Sequence, residues 1–188
     1  MSQQPSENKN LEVATLGGGC FWCTEAAFSI IKGVERIEPG YTGGTVDNPS
    51  YEEVSTGTTG HVEAAQIYFD PKVISYKEIL EIFFTMHDPT SLNRQGADIG
   101  TQYRSVIFYH SPEQKATAEK LIEELTEEEI WNKPIVTAVE PLKVFYNAET
   151  YHKDYYKKHP KEPYCQAVIA PKIAKLQHRF IDKIKVPL

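Results

Sequence analysis

One short segment near the start of the chain has the residue types and spacing of a reactive thiol site. Three glycines at 17–19 follow the apolar run 13–16 and precede Cys20 and Cys23. The residues that follow predict that Cys20 stands in the first turn of a helix. Unpaired backbone N–H groups and the positive end of the helix dipole stabilise a thiolate there. We therefore expect redox or covalent thiol chemistry at Cys20, and a small buried core cysteine is the alternative.

The residues next to Cys20 extend this interpretation. Phe21 and Trp22 suit an apolar cage for a methyl or thioether group, with core packing as the alternative. Cys23 completes a Cys-x-x-Cys spacing that places two thiols one helical turn apart, close enough for exchange. Only Cys165 remains among the cysteines, so a four-cysteine zinc site is excluded, and neither a metal nor a cofactor is expected.

A candidate proton donor lies further along the chain. Glu63 leaves a glycine-containing loop and enters the apolar run 64–67. A carboxyl group desolvated there would have a raised pKa and could donate a proton. A solvated charge at a strand edge is the alternative. The segment 98–105, which contains Asp98 and Tyr103, indicates by its local sequence a tight turn into a strand.

The elements that must position these groups alternate along the chain. The patterning predicts strands at 11–16, 34–41, 62–69 and 103–109, helices at 21–31 and 75–86, and long loops at 42–60 and 87–101. A helix from 112, a strand at 135–139 and short helices at 149–158 and 172–184 complete the prediction. The order is that of a ferredoxin-like βαββαβ core, so we expect an α+β, two-layer fold with an extra strand and added helices.

Length and composition limit the class of protein. The 188 residues suit one domain, predicted at 11–188 after a disordered polar tail at 1–10. A net charge of −6 argues against nucleic-acid binding. No apolar run approaches the ~20 residues of a membrane span. Three cysteines without a secretory signal favour a reducing compartment, and we expect a cytoplasmic monomer.

Six ordered segments resemble the A-type peptide methionine sulfoxide reductases. They span most of the chain and are Gly-Cys-Phe-Trp at 19–22, Gly-Tyr-Thr-Gly-Gly at 40–44, Tyr-Glu-Glu-Val at 51–54, Thr-Gly-His-Val-Glu at 59–63, His-Asp-Pro-Thr at 87–90 and Gly-Thr-Gln-Tyr-Arg-Ser at 100–105. The resemblance implies reduction of the S epimer of free or protein-bound methionine sulfoxide, followed by recycling by thioredoxin or another dithiol.

The resemblance also implies a role for each matching residue. Cys20 corresponds to the nucleophile that attacks the sulfoxide sulfur, and Glu63 to the acid that protonates its oxygen. Tyr51 and Tyr103 correspond to hydroxyl donors to that oxygen. Asp98 corresponds to a carboxylate that helps to fix the substrate. Phe21 and Trp22 correspond to the wall that holds the S-methyl group.

The sequence departs from the family pattern at Cys23, where members usually carry glycine. The identity of the thiol that resolves the cysteine sulfenic acid is therefore left open. Cys165, expected on a loop that could swing, is the first candidate; Cys23, both in relay, or an external thiol are the others. A general dithiol–disulfide oxidoreductase that uses Cys20 and Cys23, and an inactive thioether-binding module, are the competing functions. The oxidoreductase gives no reason for Glu63, Tyr51 and Tyr103.

Overall fold

A six-stranded sheet organises the fold, which is mixed α+β. The computed structural model describes residues 10–185, so the tail expected at 1–10 lies, except for its last residue, outside the described part. The strands are β1 (Glu12–Gly18), β2 (Val34–Thr42), β3 (Val62–Phe69), β4 (Arg94–Gln95), β5 (Asp98–Ile99), β6 (Ser105–Tyr109), β7 (Ala138–Pro141) and β8 (Phe145–Asn147). The helices are α1 (Phe21–Ser29), α2 (Tyr51–Ser55), α3 (Tyr76–Met86), α4 (Pro112–Glu127), α5 (Tyr155–Lys158) and α6 (Ala170–Arg179).

The sheet order is β7-β6-β1-β3-β2-β8, and β4 and β5 form a separate hairpin. Every neighbouring pair in the large sheet is antiparallel except β6 and β7, which are parallel. The four central strands are those predicted between residues 11 and 109. Because β1 and β3 are central neighbours, the C-terminal end of β1 lies beside the N-terminal half of β3, with Leu16 opposite Ala65.

The sequence did not predict the shortest elements. Helix α2 has only five residues inside a turn-rich loop, and its N-terminus is stabilised by a capping box between Ser50 and Glu53. Strands β4 and β5 have two residues each. The helix expected at 149–158 is a 3₁₀ turn (Thr150–His152) followed by α5, and that expected at 172–184 begins at Ala170 and ends at Arg179. Elements this short carry too few residues for a periodic pattern.

The connection from β1 to α1 needs glycine for two physical reasons. Gly19 has φ +98°, which L side chains rarely adopt. A Cβ on Gly18 would lie 2.7 Å from the Phe83 ring and 3.2 Å from His87. The chain can therefore turn sharply and pass close to α3, which delivers Cys20 to the start of α1.

The main core lies between the sheet and the helices. Helix α1 packs on β2 and β3, and its buried residues include Ala27 and Phe28. A smaller cluster of Val62, Val106 and Phe108 lies on the opposite face of the sheet, because successive strand residues alternate between faces. Glu63, next to Val62, consequently points to the helix side. Within residues 10–185, none of the helices is both long and apolar enough to cross a membrane.

Candidate active site

Cys20 occupies the N-cap position of α1, where β1 has just ended. Its side chain is almost buried, with 8% of its surface exposed. The backbone N–H of Trp22 faces the sulfur and acts to lower the pKa of Cys20, in the direction that the sequence led us to expect. Burial nevertheless outweighs this effect and raises the pKa of Cys20 above its ordinary value.

Glu63 lies beside Cys20, close enough for each side chain to act on the pKa of the other. The carboxyl group is 1% exposed, and Oε1 accepts the Phe21 backbone N–H at 3.2 Å. Burial raises the pKa of Glu63 to about 8, although the Phe21 N–H lowers it in part. The carboxyl group is therefore mainly protonated at neutral pH. The sequence-based expectation of a desolvated carboxyl agrees with this geometry.

Cys23 is the second thiol in contact with Cys20. The two side chains are hydrogen-bonded across the first turn of α1. The hydrogen bond from Cys20 lowers the pKa of Cys23 to about 7, and the positive charge of Lys172 acts in the same direction. Within the pair, the charged form is therefore favoured on Cys23 over Cys20. This distribution differs from the thiolate expected at Cys20, because burial raises the pKa of Cys20, whereas the hydrogen bond from Cys20 lowers the pKa of Cys23.

Two phenols complete the polar part of the site. Tyr51 begins α2, and Tyr103 ends the 3₁₀ turn that precedes β6. Both are half-buried, and the charges of Glu63 and Cys20 reach both hydroxyl groups. Burial raises the pKa of Tyr51 to about 12 and also raises the pKa of Tyr103. Both phenols therefore stay protonated and able to donate hydrogen bonds.

Asp98 joins the site through a tyrosine that the sequence analysis did not select. The Tyr164 hydroxyl donates to Asp98 Oδ2 at 2.6 Å. The Tyr164 hydroxyl oxygen also lies 3.6 Å from Cys23 Sγ. Tyr164 consequently covers Cys23 and ties the segment before Cys165 to the β4–β5 hairpin. Its position next to a candidate cysteine was the one sequence signal that could have identified it.

The aromatic wall differs in part from the expected methyl cage. Phe21 has no exposed surface and packs against Tyr41 and His152. Trp22 is half-buried; one face stacks on Tyr155 at 3.6 Å, and its Nε1–H donates to His152 Nδ1 at 3.0 Å. Phe21 therefore supports the wall from within, while Trp22 keeps part of its surface accessible. No local pattern marked His152.

Cys165 does not lie on a loop, as the sequence analysis expected. It begins a π-helical turn (Cys165–Ile169) that runs into α6, and its side chain is completely buried. Burial raises its pKa. The apolar residues after Cys165 explain this difference, because they carry the turn into the main core. Among residues 10–185, no group of three His, Cys, Asp or Glu side chains could hold a metal ion.

Comparison with known proteins agrees with the geometry. A family model described as "Peptide methionine sulfoxide reductase" matches residues 12–184. A "Peptide methionine sulfoxide reductase MsrA" from Saccharolobus solfataricus is 58% identical over 176 residues, which cover 94% of this chain and 98% of the relative.

Solved structures are similar over most of the fold. Reduced Mxr1 from Saccharomyces cerevisiae has a TM-score of 0.76 and 36% identity, covering 86% of this chain and 92% of Mxr1. Mxr1 in complex with Trx2 has a TM-score of 0.53 and 26% identity, covering 82% of this chain and 89% of Mxr1.

Proposed function

Because this chain belongs to the peptide methionine sulfoxide reductase family, we propose that it reduces methionine sulfoxide at Cys20 with Glu63 as the proton donor. The protein is a thiol-dependent methionine sulfoxide reductase that thioredoxin recycles. The observation that carries the residue assignment is the buried carboxyl of Glu63 in contact with the Cys20 thiol, with a pKa raised to about 8.

The first step joins Cys20 to the sulfoxide sulfur. The Cys20 proton passes to Cys23 along their hydrogen bond while the Cys20 sulfur bonds to the substrate sulfur. Glu63 gives its proton to the sulfoxide oxygen, which is a poor leaving group until it is protonated. Tyr51 and Tyr103 donate hydrogen bonds as negative charge develops on that oxygen. The bond between the two sulfurs and the S–O bond then break as the hydroxyl group passes to the Cys20 sulfur. The products are methionine, a Cys20 sulfenic acid and an ionised Glu63.

The second step closes a disulfide. We propose Cys23 as the resolving thiol, since it already contacts Cys20 and the positive charge of Lys172 favours its thiolate. Its sulfur attacks the Cys20 sulfenic acid, and a disulfide and water form. Both Cys23 and Cys165 are buried, but burial raises the pKa of Cys165, which makes it the poorer nucleophile in this conformation.

A dithiol then restores the enzyme. Exchange with two external thiols reduces the Cys20–Cys23 disulfide, so each cycle converts one sulfoxide and two thiols into methionine, a disulfide and water. The crystal structure of Mxr1 in complex with Trx2 supports thioredoxin as the donor for this chain.

The epimer specificity, the oligomeric state, the compartment and the topology of the core are further proposals. We propose specificity for the S epimer, as the family resemblance implies. All the groups used above belong to one chain, which supports action as a monomer, and three unpaired cysteines support a reducing compartment such as the cytoplasm. The order β6-β1-β3-β2, with α1 and α3 as connections, supports a ferredoxin-like core.

The test is turnover of each epimer of dabsyl-methionine sulfoxide with dithiothreitol. The wild-type protein should reduce the S epimer only, and Cys20→Ser should form no methionine. Cys165→Ser is the matched control and should keep the activity. Reduction by Cys20→Ser would remove Cys20 as the nucleophile, and absence of turnover by the wild type would reject the function itself.

A further inference from the structure

A groove of about 540 Å³ opens onto Cys20. One wall is the β4–β5 hairpin with Asp98, and the other is the first two turns of α6 with Lys172 and Lys175. Asp98 also belongs to the site described above, because its charge acts on Glu63 and Tyr103. The groove therefore continues from the reacting sulfur and is not a separate cavity.

The groove has an apolar base and unequal walls. Met86, Trp131 and Val168 contribute the apolar surface. This volume exceeds what one methionine side chain fills, so several residues of a polypeptide can lie in it. Such an apolar base with polar rims is the usual character of a binding cleft.

The charged side chains on the two walls differ in the partners that they have within the protein. Asp98 Oδ2 accepts the Tyr164 hydroxyl, and the Asp88 carboxylate accepts hydrogen bonds from Thr90 and Ser91. Lys172 and Lys175 stand one helical turn apart on the α6 wall and, within residues 10–185, neither forms an ion pair. The donors to the two aspartates are neutral and leave the carboxylate charges in place, so the groove has an acidic wall and a basic wall, and an anionic ligand would pair with the lysines.

Lys172 is also close enough to the sulfur pair for its charge to act on Cys23. A carboxylate that bound this ammonium group would lie within a few residues of a methionine sulfoxide placed at Cys20. The groove lining also includes Asp88 and Asp98, so the two unpaired lysines form a basic wall within a mixed groove, and this wall is the part that favours an anionic side chain.

We propose that this groove binds the polypeptide on one side of the oxidised methionine, and that Lys172 and Lys175 select substrates with an aspartate or glutamate there. This inference rests on the proposed function and adds a substrate class to it. The occupant is a segment of a protein substrate. The apolar base receives its neighbouring side chains, and its acidic side chain pairs with the α6 lysines.

The experiment compares three blocked peptides in which methionine sulfoxide is flanked by aspartates, serines or lysines. For the wild type we expect kcat/KM to be about three- to tenfold higher for the aspartate peptide than for the lysine peptide, since each exposed pair contributes little. The doubly substituted Lys172→Glu, Lys175→Glu protein should reverse this order. Because only the ratio between peptides is compared, any effect of Lys172 on Cys23 cancels.

The control carries the same charge change elsewhere. Lys72 and Lys120 are exposed and do not line the groove, so Lys72→Glu with Lys120→Glu should keep the wild-type ratio. An unchanged ratio in the groove variant, or an altered ratio in the control, would overturn the proposal.

Two small substrates test two further questions: whether the protein reduces methionine sulfoxide at all, and whether the lysines bind a side-chain carboxylate or the α-carboxylate of the free amino acid. N-acetyl-methionine sulfoxide amide lacks a carboxylate, and its turnover by the wild type reports the proposed function alone. N-acetyl-methionine sulfoxide with a free α-carboxylate tests the other source. If the groove variant lost activity only toward this acid and treated the peptides as the wild type does, the lysines would serve the free amino acid and the proposal would be wrong.

Discussion

At the level of single residues, the site depends on opposite protonation preferences of two neighbours. Glu63 is buried, so its pKa rises to about 8 and it holds a proton at neutral pH. Cys23, which accepts a hydrogen bond from Cys20, has its pKa lowered to about 7. One group can thus give a proton to the substrate while the other takes one from Cys20.

Glu63 predicts an alkaline limit to the chemical step. As the pH rises through about 8, the carboxyl group loses the proton it must donate, so the single-turnover rate of sulfoxide reduction should fall. Glu63→Gln should react about 10²-fold or more slowly and show no such fall. Rapid-quench measurements between pH 6 and 9.5 would test this, with the exposed Glu119→Gln as control. A Glu63→Gln protein with the wild-type rate and profile would exclude Glu63 as the acid.

Cys23 predicts which disulfide forms first. Cys23→Ser should still release one methionine per enzyme and then accumulate a Cys20 sulfenic acid that dimedone traps. Cys165→Ser should form the Cys20–Cys23 disulfide at the wild-type rate, because Cys165 is buried in a helical turn. Peptide mapping by mass spectrometry after one turnover distinguishes the two. A first disulfide between Cys20 and Cys165 would contradict the assignment.

At the level of elements, α1 holds the segment that forms the aromatic wall. Trp22 donates to His152 and stacks on Tyr155, and Glu25, one turn further along α1, accepts the Asp154 backbone N–H at 2.7 Å. Asp154 has φ +54°, a conformation that such a hydrogen bond helps to maintain. Helix α1 therefore carries the proposed nucleophile at its N-cap and also fixes the residues around it.

Glu25 predicts a pH-dependent stability. Burial raises its pKa from 4.5 to about 7, so the folded state binds more protons than the unfolded state between these values. Its contribution to the free energy of unfolding should fall by up to about 3 kcal/mol as the pH rises from about 4.5 to 7, and stay constant above. Urea unfolding of Glu25→Gln, with Glu119→Gln as control, should show a gain relative to wild type that grows over this range. A pH-independent difference would refute the prediction.

At the level of the whole molecule, the C-terminal segment closes the fold on the loop after α1. The Lys185 N–H donates to Ile30 O at 2.7 Å, and the Lys32 N–H donates to Lys183 O at 2.8 Å. The Lys183 ammonium also pairs with Glu78 at the start of α3. These contacts join both core helices to the chain end, on a part of the molecule that does not carry Cys20.

Removal of the chain from Ile181 onward should therefore lower stability without changing the chemistry. Two backbone hydrogen bonds and one partly exposed ion pair contribute about 2–3 kcal/mol to the free energy of unfolding. Thermal unfolding should show a lower Tm, while the single-turnover rate stays unchanged below the transition. Lys183→Met removes only the ion pair and should cost under about 1 kcal/mol. A truncated protein with the wild-type Tm would contradict the prediction.

The sequence by itself indicated the central elements and the proposed nucleophile, Cys20. Segments with a regular spacing of apolar residues predicted the bounds of β1, β2, β3, α1 and α3 to within a few residues. This was possible because the periodic burial of side chains is a local property of the chain. The motif around Cys20 indicated thiol chemistry for the same reason. A glycine turn that leads into the start of a helix consists of consecutive residues and can be recognised locally.

Only the tertiary structure decided the partners of that nucleophile. The contact between Cys20 and Glu63 joins residues 43 positions apart, and Tyr164 reaches Asp98 from 66 positions further along the chain. The burial of Cys165 and the pKa of Glu63 depend on what packs around each side chain, which no local pattern states. Desolvation and pairing are properties of the folded surroundings, so the sequence indicated the chemistry while the fold determined which groups carry protons and charge.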